Sequence, residues 1–328
     1  MRKIKRFLLF LVFFVAVLAG GIGYYVFRPM TFISLPLEFS LEHGSGLRSV
    51  AHQMHQAGVL PNEWGFVWLA RLLGKSAQIK AGNYQLENAV TMFDLLSIVT
   101  KGQATQSEFR IIEGWTFAQF RKALDSNPAI RHDSANLSEA EILRRIGAAA
   151  TFAEGQFFPD TYYFAKGSSD LALLRRAYQT MHKHLQESWK ERMPELPLGS
   201  VDEALILASI VEKETGKASE RNMIAAVFVN RLRKGMLLQT DPSVIYGLGQ
   251  DFDGNLRKRD LNTDTPYNTY TRTGLPPTPI SLPGLSSIQA VLHPASTEAL
   301  YFVARGDGSS QFSNTLNEHI NAVNRYQK

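Results

Sequence analysis

Residues 205–249 have the sequence LILASIVEKETGKASERNMIAAVFVNRLRKGMLLQTDPSVIYGLG, which predicts two successive helices followed by a loop. On a helical wheel Glu214, seven residues after Leu207, falls in the middle of the apolar stripe of the first helix. Glu212 and Lys213 point elsewhere. Because a plain core helix would carry leucine at this position, an ionisable side chain there indicates a functional site.

The position of Glu214 predicts a carboxyl group that is removed from water. Desolvation disfavours the charged form, so it raises the pKa towards the range in which a neutral acid can donate a proton near pH 7. The first helix is apolar nearly all round, which leaves a structural alternative open. In that alternative, Glu214 is a buried carboxylate paired with Arg231 or Lys213.

The second helix is predicted to begin after Ser219, a favourable N-cap residue, and to stop at Gly235. Its apolar stripe contains Met223 and Val227, and the amide of Asn230 lies in line with them. Asn230 is therefore a second candidate site residue.

The N-terminus contains an uncharged, mostly apolar run of 21 residues, Phe7–Phe27. As a helix it would be about 31 Å long, enough to cross the apolar core of a bilayer. Four basic residues lie before it, within residues 1–6. The positive-inside rule therefore predicts a cytoplasmic tail at 1–6, a transmembrane helix at 7–27 and an exported remainder. The alternative is a signal peptide cleaved before Gly20.

The charge of the chain is concentrated at its N-terminus. The net charge is +5, from 35 basic and 30 acidic residues, but residues 1–28 hold five basic and no acidic ones, so the remainder is formally neutral. The basic balance therefore gives no support to a nucleic-acid partner. The absence of cysteine excludes disulfides and thiolate chemistry.

The exported part is predicted to be α+β and to contain two domains. A linker at 28–37 precedes a small α/β module at 38–125 and a larger domain at 126–328. The clearest elements of the module are two helices and the strand between them: Glu63–Leu73, Met92–Lys101 and Gly82–Leu86.

Several common chemistries have no motif in this sequence. There is no G-x-x-x-x-G-K-[ST], no strand-linked G-x-G-x-x-G, no G-x-S-x-G and no H-E-x-x-H. His182 and His184 form a close pair on a polar helix without a matching ligand cluster in the sequence. We therefore predict no cofactor and no metal.

The remaining polar candidates lie in three segments of the second half of the chain. EGQFFPDTYYF, residues 154–164, combines carboxyls with aromatic rings, as carbohydrate grooves do, although a buried strand with a turn has much the same composition. The segments at 239–242 and 267–270 place polar groups on predicted loops, although an Asx turn explains Asp241 equally well. The candidate substrate-binding residues are Glu154, Asp160, Asn230, Gln239, Asp241, Tyr267 and Asn268.

Seven features that follow one another in order carry a resemblance to a known family. They are the N-terminal apolar helix and the motifs GQFFPDTYYF, ASIVEKET, SERNMIAAVFVNRL, LQTDPSVIYGLG, PYNTYTRTGLPP and FSNTLNEH. Together they resemble the membrane-anchored endolytic murein transglycosylases, the YceG-like family, over nearly the whole chain. Thr278 is one departure, because the resemblance leads us to expect glycine there.

The resemblance implies a fold, an activity and a location. The fold is a single N-terminal transmembrane helix, a LysM-like peptidoglycan-binding module at 38–125 and a mixed α+β catalytic domain at 126–328. The activity is cleavage of the β-1,4 bond between N-acetylmuramic acid and N-acetylglucosamine, with Glu214 as the single catalytic acid and base and 1,6-anhydromuramyl ends as products. The location is the inner membrane with a periplasmic catalytic domain, and peptidoglycan synthases are expected as partners.

Two other functions stay open at this point. A lysozyme-like muramidase would use a second carboxylate, for which Glu154, Asp160 and Asp241 are candidates, to hold a nucleophile or activate water. A membrane-tethered scaffold would bind peptidoglycan without cutting it, although the apolar siting of Glu214 argues against this. Endolytic as opposed to end-directed action follows from the resemblance alone.

Overall fold

The computed structural model describes residues 2–32, 37–42, 44–86, 88–101 and 106–327. The chain forms two compact units, Met1–Glu108 with Tyr163–Gly167, and Phe109–Tyr162 with Ser168–Lys328. Helices alternate with short strands, which in the described residues pair into two-stranded sheets. The predicted α+β class is confirmed.

The first unit combines one antiparallel strand pair with helices. Its described elements are α1 (Arg2–Phe27), β1 (Leu37–Leu41), α2 (Leu47–Gln56), α3 (Glu63–Leu72), β2 (Gly82–Leu86) and α4 (Met92–Lys101). Phe39 in β1 is opposite Tyr84 in β2, and their stacked rings have centroids 5.3 Å apart in the core. Asn62 begins α3 as its N-cap, since its side chain accepts a hydrogen bond from the Gly65 N–H.

The prediction of a transmembrane helix at 7–27 is wrong. Within the described part of the chain, no helix is long and apolar enough to cross a membrane. The end of the apolar run packs into the first unit. Val26 is buried in its core, and Asn62 Nδ2 donates a 2.6 Å hydrogen bond to the Tyr25 hydroxyl. Earlier side chains of the run, such as Leu9, Phe10 and Phe13, are exposed. Hydropathy records the composition of a segment and not its contacts, so it does not distinguish a run whose end packs in a protein core from one that lies in lipid.

The predicted linker at 28–37 is only partly described, because residues 33–36 lie outside the described residues. Its first residues are bound to the first unit. The Met30 N–H donates to the Val90 oxygen at 2.9 Å, and the Met30 side chain is buried in the same core as Val26.

The second unit is mostly helical. Strands β3 (Gln106–Arg110) and β4 (Thr161–Ala165) contain points at which the chain passes from one unit to the other. The other principal elements are α5 (Phe117–Asp125), α6 (Glu139–Ile146), α7 (Asp170–Lys190), α8 (Val201–Glu214), α9 (Arg221–Arg233), α10 (Asp241–Leu248), α11 (Lys258–Asn262), α12 (Leu285–Leu292), β5 (Tyr301–Ala304), β6 (Ser310–Ser313) and α13 (Leu316–Tyr326). The main segment of the first unit ends at Glu108, whereas the sequence predicts a domain boundary after residue 125. The division into a binding module and a catalytic domain stays a prediction.

Helix α8 lies at the centre of the second unit. Residues 204–211 are all buried, and the helix packs against α7, α9, α10 and α12. Ser209 joins it to an adjacent loop, because its hydroxyl accepts from the Ile280 N–H at 3.0 Å and its carbonyl oxygen accepts from the Ser281 hydroxyl. A helix enclosed on every side explains why its sequence is apolar nearly all round.

Candidate active site

Glu214 is the last residue of α8. The helix begins at the Ser200 N-cap, whose side chain accepts from the Glu203 N–H, and ends at Thr215, which has extended backbone angles. Glu214 is partly buried. A carboxylate at a helix C-terminus also meets the negative end of the helix dipole, which disfavours its charged form.

The carboxyl group of Glu214 accepts a hydrogen bond from a buried threonine. Thr240 Oγ1 donates to Glu214 Oε1 at 2.5 Å. Thr240 is itself fixed, since its N–H donates to Thr269 Oγ1 at 3.0 Å and its carbonyl oxygen accepts from Ser243 Oγ at 2.8 Å. Thr240 is not among the candidates from the sequence, where its one signal is a hydroxyl within LQTDPSVIYGLG.

The surroundings raise the pKa of Glu214 above its ordinary value. Burial is the main cause, and the neighbouring charge of Asp241 adds to it, whereas the hydrogen bond from Thr240 acts in the opposite direction. Glu214 therefore keeps its proton at a higher pH than an exposed glutamate does, as a general acid requires.

Asp241 and Tyr270 complete this cluster. Asp241 is the first residue of α10, and its Oδ1 accepts from the Tyr270 hydroxyl at 2.5 Å. Burial raises the pKa of Tyr270, the bond and charge of Asp241 raise it further, and so does the charge of Glu214. In the sequence, nothing in the PYNTYTRTGLPP motif singles out Tyr270, because its contact with Asp241 joins segments 29 residues apart.

The ion pair that was the structural alternative for Glu214 is not formed in the described residues. The Arg231 guanidinium donates to the carbonyl oxygens of Leu238 and Leu300 at 2.8 and 2.7 Å. Lys213 Nζ donates to the Gly114 oxygen. Both cations are therefore held by backbone oxygens.

Glu154 is also buried, but its carboxyl group is used in hydrogen bonds that hold α5 and α10 in place. It caps the start of α5, because both its oxygens accept from the Phe117 N–H, at 2.9 and 3.1 Å. Its Oε2 also accepts from the Tyr246 hydroxyl on α10 at 3.1 Å. Burial raises the pKa of Glu154 from its ordinary value of 4.5 to about 7, although these hydrogen bonds favour the charged form.

A family model described as the YceG-like family matches residues 39–325. The chain belongs to this family. An endolytic murein transglycosylase of Bacillus subtilis (strain 168) is 32% identical over 308 residues, which cover 88% of this chain and 84% of that protein. A protein of the same name from Streptococcus pneumoniae serotype 2 is 27% identical over 96% of this chain, which spans 64% of that longer relative. A crystal structure of a yceG-like protein from Listeria monocytogenes has a TM-score of 0.54 and 30% identity, covering 87% of this chain and 97% of that one.

The YceG-like family membership confirms the resemblance seen in the sequence, and the match extends over both compact units. At Thr278, where glycine was expected, the hydroxyl is within 2.9 Å of the Tyr267 hydroxyl. The Tyr267 ring also packs edge-on against Tyr246, with centroids 4.9 Å apart. Tyr267 therefore links the 278 loop to α10 in this YceG-like chain.

Two of the predicted substrate-binding residues, Asn230 and Asn268, use their side-chain amides to bind backbone oxygens. Asn230 Nδ2 donates to the oxygens of Thr297 and Ala299 at 2.8 and 3.1 Å. Asn268 is fully buried, and its amide donates to three carbonyl oxygens, the shortest bond being 2.7 Å to Thr263. Helical phase and loop position identify a polar side chain, but they do not reveal whether it faces a ligand or a backbone oxygen.

Two further candidates have other surroundings. Gln239 has a positive φ of 49° and accepts from Arg231 Nη1 at 3.3 Å, next to Thr240 in the chain. Asp160 is exposed, and its Oδ1 accepts from the N–H of the following residue, Thr161, at 2.7 Å. The structure therefore brings Asp241 and Glu214 together, and Gln239 lies two residues before Asp241 in the chain. Asp160 makes no hydrogen bond with these residues in the described part of the chain.

Proposed function

We propose that this chain is an endolytic lytic transglycosylase of peptidoglycan. It cleaves the β-1,4 bond between N-acetylmuramic acid and N-acetylglucosamine and leaves 1,6-anhydromuramyl ends. The observation that carries the proposal is the siting of Glu214 at the end of a buried helix, where its pKa is raised and Thr240 orients one oxygen. The names of the Bacillus and Streptococcus relatives support the same activity.

One carboxyl group is sufficient for the reaction. Protonated Glu214 donates its proton to the glycosidic oxygen while the bond from that oxygen to the muramyl C1 breaks. The resulting Glu214 carboxylate then accepts the proton of the muramyl C6 hydroxyl as its oxygen bonds to C1. Glu214 ends the cycle protonated, and no water is consumed.

The neighbours of Glu214 suit both halves of this cycle. The negative charge of Asp241 favours the protonated state before cleavage. The hydrogen bond from Thr240 stabilises the carboxylate that exists between the two proton transfers. The negative charge of Asp241 would also stabilise positive charge that develops on a sugar bound next to it.

The test is Glu214→Gln, which keeps the shape of the side chain and removes its proton. We expect cleavage of purified sacculi to fall by at least roughly 10²–10⁴-fold, with binding retained. The matched control is Asp202→Asn, which makes the same change to an exposed carboxyl on the first turn of α8 and should retain most activity. Near-normal activity of the Glu214 variant would remove the assignment.

The products distinguish transglycosylation from hydrolysis. Anhydromuramyl ends are one water lighter than reducing ends, so mass spectrometry of the released fragments separates the two. The muramidase alternative has one favourable observation, the electrostatic contact of Asp241 with Glu214. Reducing muramyl ends, together with loss of activity in Asp241→Asn, would favour that alternative. A scaffold would release neither product.

We also propose that the first unit binds peptidoglycan as a LysM-like module. Its compact core and its own strand pair support a separate binding role. Deleting residues 38–101 in the Glu214→Gln background should weaken binding to sacculi in a pelleting assay. Equal binding by the deleted and undeleted proteins would refute the role.

The proposed substrate requires action outside the cytoplasm. A reporter that is active only outside the cytoplasm, fused after Lys328, should therefore be active, and sequencing the mature N-terminus would test cleavage before Gly20. Association with peptidoglycan synthases is a further proposal, and co-purification of a synthase after cross-linking in cells would support it. An inactive reporter in a stable fusion would contradict the location.

A further inference from the structure

Three potential metal ligands meet in the second unit, in a cluster made of Asp125, His132 and Asp170. Asp125 is the last residue of α5, Asp170 is the first residue of α7, and His132 lies in the loop after α5. One ligand atom from each lies within 4.8 Å of the other two. The cluster therefore joins three separate segments.

Asp170 is fully buried, yet only one of its carboxylate oxygens is satisfied. Its Oδ2 accepts from the N–H and the hydroxyl of Ser134, at 3.0 and 2.7 Å. Its Oδ1 is buried without a hydrogen-bond partner in the described residues. A buried, unpaired carboxylate oxygen is strongly unfavourable, so this atom requires a cation or a donor.

His132 has the same deficiency. Its Nδ1 is also buried without a hydrogen-bond partner in this part of the chain. The third member, Asp125, is more exposed, and its Oδ2 lies 3.7 Å from Arg121 Nε. The terminal nitrogens of Arg121 donate to backbone oxygens, including that of Leu137. Its Nε, which faces Asp125, is also buried without a hydrogen-bond partner in the described residues.

We propose that Asp125, His132 and Asp170 bind one Zn²⁺ ion, with water completing the coordination. In a tetrahedral site with ligand distances of about 2.0–2.2 Å, the ligand atoms lie about 3.3–3.6 Å apart. Atoms that now lie within 4.8 Å of one another would therefore close by up to about 1.5 Å on binding the ion. The two carboxylates balance the charge of a divalent cation when Asp125 turns from the Arg121 guanidinium, 3.7 Å away, towards the ion. The imidazole favours a transition metal over Mg²⁺ or Ca²⁺, which prefer oxygen ligands.

The ion stabilises the second unit by tying the end of α5 and the following loop to the start of α7. The backbone already brings these segments together, since the Asp170 N–H donates to the Arg131 oxygen at 3.1 Å and the Arg131 N–H donates to the Ser168 oxygen at 2.9 Å. Removing the ion leaves these backbone hydrogen bonds in place but leaves the buried ligand atoms of Asp170 and His132 without a partner. This role is separate from Glu214 and does not rest on the proposed function.

The experiment measures Zn²⁺ binding and thermal unfolding of the full chain after treatment with a chelator. We expect one Zn²⁺ per chain by equilibrium dialysis and metal analysis. At a hundredfold excess of free Zn²⁺ over Kd, we expect a melting temperature about 5–10 °C higher. His132→Ala and Asp125→Asn should each weaken binding at least about 100-fold. His52→Ala, at an exposed histidine in the first unit, is the matched control and should bind like the parent.

The variants keep the proposal falsifiable. His132 Nδ1 has no hydrogen bond to lose and Asp125 is partly exposed, so both variants should fold without metal. Absence of Zn²⁺ binding by the parent would overturn the site. Binding that persists in both variants would place the ion elsewhere and would also overturn it. A His132–Asp170 hydrogen bond in solution, without any response to Zn²⁺, would reduce the cluster to an internal polar contact.

Discussion

Glu154 makes the stability of the second unit depend on pH. The residue is 7% exposed, and its carboxyl group accepts from the Phe117 N–H and the Tyr246 hydroxyl. Burial raises its pKa from 4.5 to about 7 in the folded chain. Glu154→Gln keeps an oxygen that can accept from Phe117 and removes the titration, so it isolates this single group.

The magnitude follows from the two pKa values. Below about pH 4.5 Glu154 is protonated in the folded and unfolded chains, and its contribution to stability is fully present. As the pH rises through about 7, the unfolded chain releases the proton readily while the folded chain resists, so the contribution is lost. The difference between 4.5 and about 7, at about 1.4 kcal/mol per pH unit, corresponds to about 3 kcal/mol.

Denaturant unfolding between about pH 4.5 and pH 8 measures this loss. The two compact units can unfold separately, so the signal must come from the second unit. Substituting the exposed Trp64 and Trp68 by phenylalanine removes the tryptophans of the first unit and leaves Trp115 and Trp189 as reporters. The stability of the parent relative to Glu154→Gln should fall by about 3 kcal/mol across this range. A difference that stays constant with pH would refute the reasoning.

The remaining predictions concern the pKa of Glu214 and the backbone at Gly155. Thr240→Val removes the hydrogen bond that favours the Glu214 carboxylate, so its pKa rises and the alkaline limb of kcat/KM moves to higher pH. Asp241→Asn removes a negative charge that raises the pKa of Glu214, so the alkaline limb of kcat/KM moves to lower pH. If both variants moved the limb in the same direction, Glu214 would not be the group that sets it. Gly155→Ala should lower the free energy of unfolding by about 2 kcal/mol or more. The Gly155 φ is +77°, and an added Cβ would lie 2.5 Å from Pro279 Cβ. Denaturant unfolding measures the effect, and an unchanged midpoint would disprove the clash.

Local patterns predicted individual elements well. The strand at Gly82–Leu86 and the helix at Met92–Lys101 have the predicted bounds, and α3 ends at Leu72, one residue before the prediction. Capping residues, glycines and the spacing of apolar side chains are local signals, and they mark where an element begins and ends. They do not give the partner of a strand, since Gly82–Leu86 pairs with Leu37–Leu41. The second predicted helix is Arg221–Arg233, preceded by a 3-10 turn at Ala218–Glu220.

Features that depend on distant segments could not be predicted in the same way. Thr240 contacts Glu214 across 26 residues, and no periodic pattern connects the two. The apolar run at Phe7–Phe27 gave the wrong prediction, because hydropathy records the composition of a segment and not the contacts that it makes. Val26 is buried in the core of the first unit because it contacts residues that come later in the chain.

The contrast between the two buried carboxyls explains why a raised pKa alone does not identify the acid. Burial acts on Glu154 and Glu214 alike, but Glu154 has both oxygens occupied by Phe117 and Tyr246. Glu214 has one described hydrogen bond, from Thr240 to Oε1, so Oε2 can approach a glycosidic oxygen. A general acid needs a proton and access to the substrate. Glu214 is partly exposed, whereas Glu154 is buried. Glu154→Gln should therefore retain far more transglycosylase activity at neutral pH than Glu214→Gln, and equal losses would show that access does not distinguish them.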